Sequence, residues 1–163
     1  VESLCDTDCG IKWCNDVVLH GKKLCGILTE SSLLPDGSAA WLVVGIGVNV
    51  GQASFPPDIA DMATSLALQE LDVSPDALAD AILAQLTAMR TVLTDPAEWL
   101  AEYRRRCVNL GRPVRVLRGN TVRQATALAI DEQFGLTVQY ENGETETVRS
   151  GEVSVRGLYG YIE

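Results

Sequence analysis

The spacing of apolar residues changes character three times along these 163 residues. From Ile11 to Val50 they come in short runs, Ile11–Trp13, Val17–Leu19, Lys23–Leu34 and Ala39–Val50, separated by Asn15-Asp16, His20-Gly21-Lys22 and Pro35-Asp36-Gly37-Ser38. Runs of that length bounded by Gly, Pro, Asn and Asp read as strands, and their close succession predicts a series of antiparallel hairpins. Residues 51–58, with Pro56-Pro57, read as a loop, and Ala63–Leu68 as either a strand or a helix start. Ser74-Pro75-Asp76 then supplies an N-cap with proline at the first helical position. Leu78, Ile82, Leu86, Met89 and Leu93 follow at helical spacing, Asp95-Pro96 repeats the start signal, and a second helix is predicted through Trp99 to about Arg106.

Beyond Leu110 the period falls to two. Val114, Val116, Val122, Ala125, Ala127 and Ile130 alternate with polar residues, punctuated by Phe134-Gly135, Asn142-Gly143 and Ser150-Gly151. That texture predicts a small barrel of short strands. A boundary near Asn109–Gly111 divides the chain into 1–109 and 110–163. A unit of about 50 residues is small for independent stability and is expected to lean on its neighbour.

Composition narrows the function classes. Nearly half the residues are apolar (47%), so a real core is expected. No run reaches membrane-span length and no basic-apolar leader opens the chain, so membrane attachment is not expected and a cytoplasmic location is. The chain opens on Val1 rather than Met, as a fragment or processed chain would. Thirteen basic residues against 22 acidic give a formal charge of −9, which argues against nucleic acid as a partner but leaves room for one phosphate site. The five cysteines, Cys5, Cys9, Cys14, Cys25 and Cys107, form no paired CxxC, so reduced thiols are expected rather than a disulfide framework or a zinc site.

One lysine does not fit its frame. Lys12 stands between Ile11 and Trp13 in an apolar run, where burying an ammonium is costly. By itself this is a strand-end lysine that snorkels to solvent. Its neighbours change the reading. "IKWCNDV", "GKKLCGILTE" and "VVGIGVNV" follow one another, with "ATSL" at Ala63–Leu66 and "SGEVSVRG" at Ser150–Gly157. In that order they resemble the catalytic core of the biotin–protein ligases, whose pattern is Lys-Trp-Pro-Asn-Asp, a Gly-Lys-Lys-type turn, Ala-Gly-Ile-Leu and Gly-Ile-Gly-Ile-Asn. The resemblance runs from Gly10 over nearly all the remaining chain.

The resemblance implies an α+β fold, a mixed or antiparallel sheet with helices of class II synthetase type, followed by an SH3-like barrel. It implies ATP-dependent attachment of biotin, through biotinyl-5'-AMP, to a lysine of the biotin carboxyl carrier domain of acetyl-CoA carboxylase or a related enzyme. ATP and Mg²⁺ are the implied cofactors. Lys12 matches the family lysine between biotin and the α-phosphate, and the substrates rather than the protein are expected to compensate its charge. Asn15 and Asp16 either turn the chain or serve the site, Asp16 by orienting Lys12 or a phosphate-bound Mg²⁺. Lys23 either caps the phosphate region or is a solvated turn residue. Gly26 and Ile27 are expected to line the biotin pocket through their backbone, Gly45 and Gly47 to lie against the nucleotide, and Asn49 to meet adenine with an amide that both donates and accepts. Trp13 reads as core and His20 as a solvated turn residue.

Three departures stand out. Cys14 replaces the family proline after Trp, Cys25 replaces the alanine before Gly26, and the family's Gly-Arg-Gly-Arg-x-Gly-Arg loop, upstream of the lysine, has no counterpart. An apolar sheet face is therefore expected to need cover from another segment or a homodimer. A second reading follows: a non-catalytic remnant or subunit binding biotin, nucleotide or carrier protein. A third leaves the barrel as an interaction module.

Overall fold

The computed structural model describes residues 1–89, 96–149 and 154–157. Leu93, Asp95 and the Ser150-Gly151 turn lie outside them, as do the first four residues of the "SGEVSVRG" segment.

The hairpin series forms as the pattern requires. Strands β1 (Gly10–Lys12), β2 (Asp16–Leu19), β3 (Lys22–Leu33) and β4 (Ala39–Val48) make one antiparallel sheet in the order β1-β2-β3-β4. A two-residue turn joins β2 to β3, with both His20 and Gly21 at positive φ (47° and 77°). Two such residues give a turn whose twist matches that of the strands, which is why glycine stands there. A short helix α1 (Glu2–Cys5) precedes the sheet, and a 3-10 turn (Ala67–Gln69) occupies the stretch left open between strand and helix.

Helix α2 (Pro75–Met89) begins at its proline, and the Ser74 hydroxyl accepts the Ala77 N–H at 3.1 Å, as an N-cap does. Its apolar stripe is only half used. Leu78 is buried with Leu19, Leu24 and Leu66, and Ile82 packs beside them, but Leu86, expected on the inner face, is exposed, as is Leu83. The helix outruns the sheet beneath it. Helix α3 (Pro96–Arg106) is anchored at its end by Arg106, which pairs with both Glu2 and Glu102.

The C-terminal strands, β5 (Pro113–Arg118), β6 (Thr121–Ile130), β7 (Leu136–Tyr140), β8 (Thr145–Val148) and β9 (Ser154–Gly157), form one antiparallel sheet in the order β8-β7-β6-β5-β9. No closure into a barrel occurs among the described residues. Val114, Val116, Ala125, Ala127 and Ile130 point inward as the alternation requires. Val122 does not. It is exposed near the β5–β6 turn, while an irregularity between Ala127 and Ala129 resets the alternation further along β6. The core of this sheet also takes in Trp13, Leu100 and Cys107, so the two sheets share buried surface.

The far half of the β3–β4 hairpin has no such cover. Leu28, Leu33, Trp41, Leu42, Val43 and Val44 are all exposed, and they belong to both faces of the ribbon. β4 is also an edge strand, ten residues long, with no charge and no proline. Natural proteins avoid long uncharged edges because their unpaired backbone groups template association. Val44→Lys, which places a charge in the middle of this edge, is expected to lower concentration-dependent self-association of the chain in sedimentation velocity. Identical association of the two proteins would mean that the edge is not the adhesive element.

Candidate active site around Lys12

The register places four site residues in one row. Lys12 opposes Asp16, Asp16 opposes Gly26 and Gly26 opposes Gly47. Directly opposed residues share a sheet face, so a lysine, a carboxylate and two glycines stand side by side across all four strands. Gly45 lies two residues from Gly47 on the same face.

Lys12 is buried, at 6% exposure, and its ammonium lies 3.6 Å from Asp16 Oδ2. The other oxygen, Oδ1, is 2.6 Å from the Lys23 ammonium. Protein therefore does compensate Lys12, contrary to the expectation that substrates alone would. The reason lies in the hairpin: residues i and i+4 face each other across the Lys12–Asp16 connection. One carboxylate thus serves two cations. Of the two roles open to Asp16, the arrangement fits orienting Lys12. Both Asp16 oxygens face ammonium groups, so the carboxylate would take up a Mg²⁺ ion only in place of one of them.

Gly26 is where the lysine fold-back needs room. A Cβ there would stand 3.1 Å from Lys23 Cε and Nζ and 3.5 Å from Asp16 Oδ1. Gly45 and Gly47 are different. A Cβ at either would meet nothing closer than 3.7 Å, and both glycines are exposed. They form an open floor beside the charge cluster.

The remaining residues are drawn into scaffolding. Asn15 donates its side-chain amide to the Ile27 carbonyl, and its own carbonyl accepts the Ile27 N–H at 3.0 Å. Both backbone groups of Ile27 are thus engaged, and its side chain lies on the opposite face from Gly26. Asn49 donates one amide N–H to the Thr64 carbonyl at 3.0 Å, which leaves its oxygen and its second N–H outside that bond. His20 is exposed, with Nδ1 2.5 Å from Gln69 Oε1.

Sequence spacing missed the residues that hold the lysine from a distance. The Trp13 backbone N–H donates to Asn109 Oδ1 at 2.6 Å, and its indole N–H to the Phe134 carbonyl at 2.8 Å. The Tyr103 hydroxyl donates to the Cys14 carbonyl at 2.9 Å. Burial pushes the Tyr103 phenol well above its ordinary pKa, so it remains a donor. Behind Cys14 lies a cavity of about 290 Å³ lined by Tyr103, Phe134 and Arg149, at the seam between the two sheets. The "ATSL" motif also has a physical role. Thr64 and Ser65 are buried; the Thr64 N–H donates to the Lys23 carbonyl at 2.9 Å, and the Ser65 hydroxyl donates to the Gln52 carbonyl at 2.6 Å.

A lysine–carboxylate–lysine cluster beside a glycine floor, on an antiparallel sheet, belongs to an α+β protein. The comparisons with known proteins are specific. Residues 3–49 match the biotin/lipoate A/B protein ligase family, and residues 110–156 match the biotin protein ligase C terminal domain. The chain is 36% identical over 149 residues to the biotin–[acetyl-CoA-carboxylase] ligase of Mycobacterium tuberculosis, covering 88% of this chain and 52% of that protein. It is 30% identical over 152 residues to the bifunctional ligase/repressor BirA of Escherichia coli, covering 90% and 46%. The biotin protein ligase of Aquifex aeolicus superposes with a TM-score of 0.81 at 27% identity, covering 96% of this chain and 68% of that one. The structure of the Aquifex ligase in complex with biotin and ATP gives 0.73 at 26% identity, covering 96% and 65%. The chain belongs to the biotin protein ligase family. It spans about half the length of the two curated relatives named here.

Two outcomes follow from the geometry. Asp16→Ala leaves the Lys12 ammonium buried without its carboxylate, which is expected to cost about 3–5 kcal/mol of stability. Replacing both partners by apolar residues, Lys12→Met with Asp16→Leu, should recover most of it. Urea unfolding of the two variants beside wild type measures this, and a loss below about 1 kcal/mol in Asp16→Ala would show that the pair is solvated. The second concerns Cys25. Burial raises its pKa despite the nearby Lys23, so less thiolate exists at pH 8 than in an exposed thiol and alkylation should rise only at higher pH. Timed alkylation read by mass spectrometry should show Cys14, which is half-buried, labelled well before Cys25. Equal rates would contradict the burial argument.

Proposed function

We propose that this chain carries the lysine-bearing half of a biotin–protein ligase site and takes part in ATP-dependent attachment of biotin to a carrier lysine. In the first step the biotin carboxylate attacks the α-phosphorus of ATP, forming biotinyl-5'-AMP and releasing pyrophosphate. In the second, the carrier lysine amine attacks the acyl carbon, AMP leaves with the bonding electrons, and an amide results. The first step brings two anions together and the second builds negative charge on the acyl oxygen and the leaving AMP, so a fixed cation where charge accumulates lowers the barrier.

The observation that carries this reading is the Lys12–Asp16–Lys23 cluster. Two lysines share one carboxylate beside the glycine floor of an otherwise acidic chain. Lys12, held by Asp16, faces the carboxylate and the α-phosphate. Lys23, half-exposed, reaches the outer phosphates. Gly26, Gly45 and Gly47 let biotin and the nucleotide lie close to the backbone, and the Asn49 oxygen accepts from the adenine amino group. Mg²⁺ would supply charge neutralisation to the ATP phosphates when bound. Asn15 and Ile27 act through the loop they brace. The C-terminal sheet serves as the family's SH3-like unit, and the carrier domain of acetyl-CoA carboxylase is the acceptor.

A second reading has one observation in its favour. The exposed apolar hairpin leaves the site with a floor on one side only, which suits a chain that binds substrates without completing ligation. Biotin-dependent pyrophosphate release separates the readings, and calorimetric titration with ATP and biotin tests binding alone. Lys12→Ala is expected to lower pyrophosphate release about 10²–10³-fold, the loss of roughly 3–4 kcal/mol of charge stabilisation in the transition state. A variant within threefold of wild type would remove Lys12 from the mechanism.

A further inference from the structure

We propose that Asn109 is a positioning residue for Lys12: its side-chain oxygen fixes the short backbone segment on which the lysine stands. The inference rests on the reading of Lys12 as the reacting-site cation. It comes from the far side of strand β1, where nothing in the lysine motif itself supplies a partner.

β1 is three residues long and Lys12 is its last residue. One edge pairs with β2. The other is closed by residues 107–109, which arrive from the end of α3 and run parallel to it. Cys107 bridges to Ile11, the Val108 N–H donates to the Ile11 carbonyl at 2.9 Å, and Asn109 Oδ1 accepts the Trp13 N–H at 2.6 Å. Two bonds therefore bracket Lys12, one at the residue before it and one at the residue after. The approach is close by construction: a Cβ at Gly10 would lie 2.3 Å from Val108 Cγ1, so the strand opens with a glycine.

Asparagine suits this job for a chemical reason. Asn109 is 3% exposed and Trp13 also 3%, so the Trp13 N–H has no route to water. A buried backbone donor needs an acceptor, and a neutral amide oxygen supplies one without burying a charge. The indole N–H and the Tyr103 hydroxyl hold neighbouring atoms, while Asn109 holds the N–H of the peptide unit that joins Lys12 to Trp13. That peptide sets where the Lys12 side chain leaves the strand, and sub-ångström placement of a charged group is what an oriented site requires.

Four measurements test this on the full chain. In wild type, hydrogen exchange should place the Trp13 amide among the slowest in β1, and fast exchange there overturns the proposal without any variant. In Asn109→Ala, acylation of Lys12 by an N-hydroxysuccinimide ester, read by mass spectrometry, should rise several-fold relative to Lys22; an unchanged ratio overturns it whether or not the chain turns over. Pyrophosphate release should lose about tenfold or more in kcat, with the KM for ATP within about twofold. A parallel rise in KM, or a kcat within threefold, overturns it. Asn109→Asp keeps the acceptor and should restore slow Lys12 acylation; an effect as large as alanine's also overturns it. The acylation arm stands apart from catalysis: full activity in Lys12→Ala with an altered acylation ratio in Asn109→Ala would remove the catalytic reading and leave the positioning one.

Discussion

An ammonium group can be kept under a protein surface only if something of opposite charge is held against it, and the site depends on how this is done for Lys12. Asp16 stands four residues on, across the tight connection between β1 and β2, and reaches it at 3.6 Å. The same carboxylate is closer to Lys23, at 2.6 Å. Shared in this way, one anion keeps two cations in place. Gly26 is part of the same arrangement, since a side chain there would displace the Lys23 ammonium from its carboxylate. The row of lysine, carboxylate and glycines is thus one device, set by the register of four strands.

The lysine's backbone is held by the rest of the chain. Trp13, its immediate neighbour, is a core residue of the C-terminal sheet, with an indole N–H bonded to the Phe134 carbonyl. Alternate residues of an extended segment face opposite ways, so burying Trp13 on one side turns Lys12 to the other. The 2.6 Å bond from Asn109 and the Tyr103 hydroxyl on Cys14 complete a clamp drawn from residues 89 to 121 positions away in sequence. The topology changes sheet after residue 109, but the packing does not stop there. A loosened C-terminal sheet would disturb Lys12 directly, without any change in the residues that touch substrate.

How legible this was in the sequence depended on the range of the forces involved. The turns at His20-Gly21 and the helix start at Ser74-Pro75 are local chemistry, and they stand where residue type alone puts them. The site row is legible as far as the hairpin order and the motifs carry it, since strand pairing brings Lys12, Asp16, Gly26 and Gly47 together once the register is known. What the Lys12 charge meets was only half legible: orienting Lys12 was one of the readings open to Asp16, but the substrates were expected to compensate the charge, and the carboxylate faces the lysine only after the strands pair. Leu86 and Val122 show the same limit. Each fits its periodic pattern, but periodicity says which face a residue shares and not whether a neighbour covers that face. Asn109 and Tyr103 left no local signal at all. Their value lies in a single long-range hydrogen bond each, and an asparagine after a helix reads as an ordinary terminator.

The exposed hairpin gives the site its remaining constraint. Gly45 and Gly47 lie on the strand whose outer edge and both faces are bare beyond Ile46, so the glycine floor and the uncovered apolar surface are continuous. An acyl adenylate is destroyed by water, and a site that makes one must exclude it. Charge attraction needs no such enclosure, because the Lys12–Asp16–Lys23 cluster acts at the sheet surface as it stands. On the proposed function, binding of anionic substrates and protection of the intermediate depend on different parts of the molecule. The first rests on the row across the four strands. The second rests on whatever packs against Leu28, Trp41 and Val43, and apolar cover there would form a wall of the site in the same step.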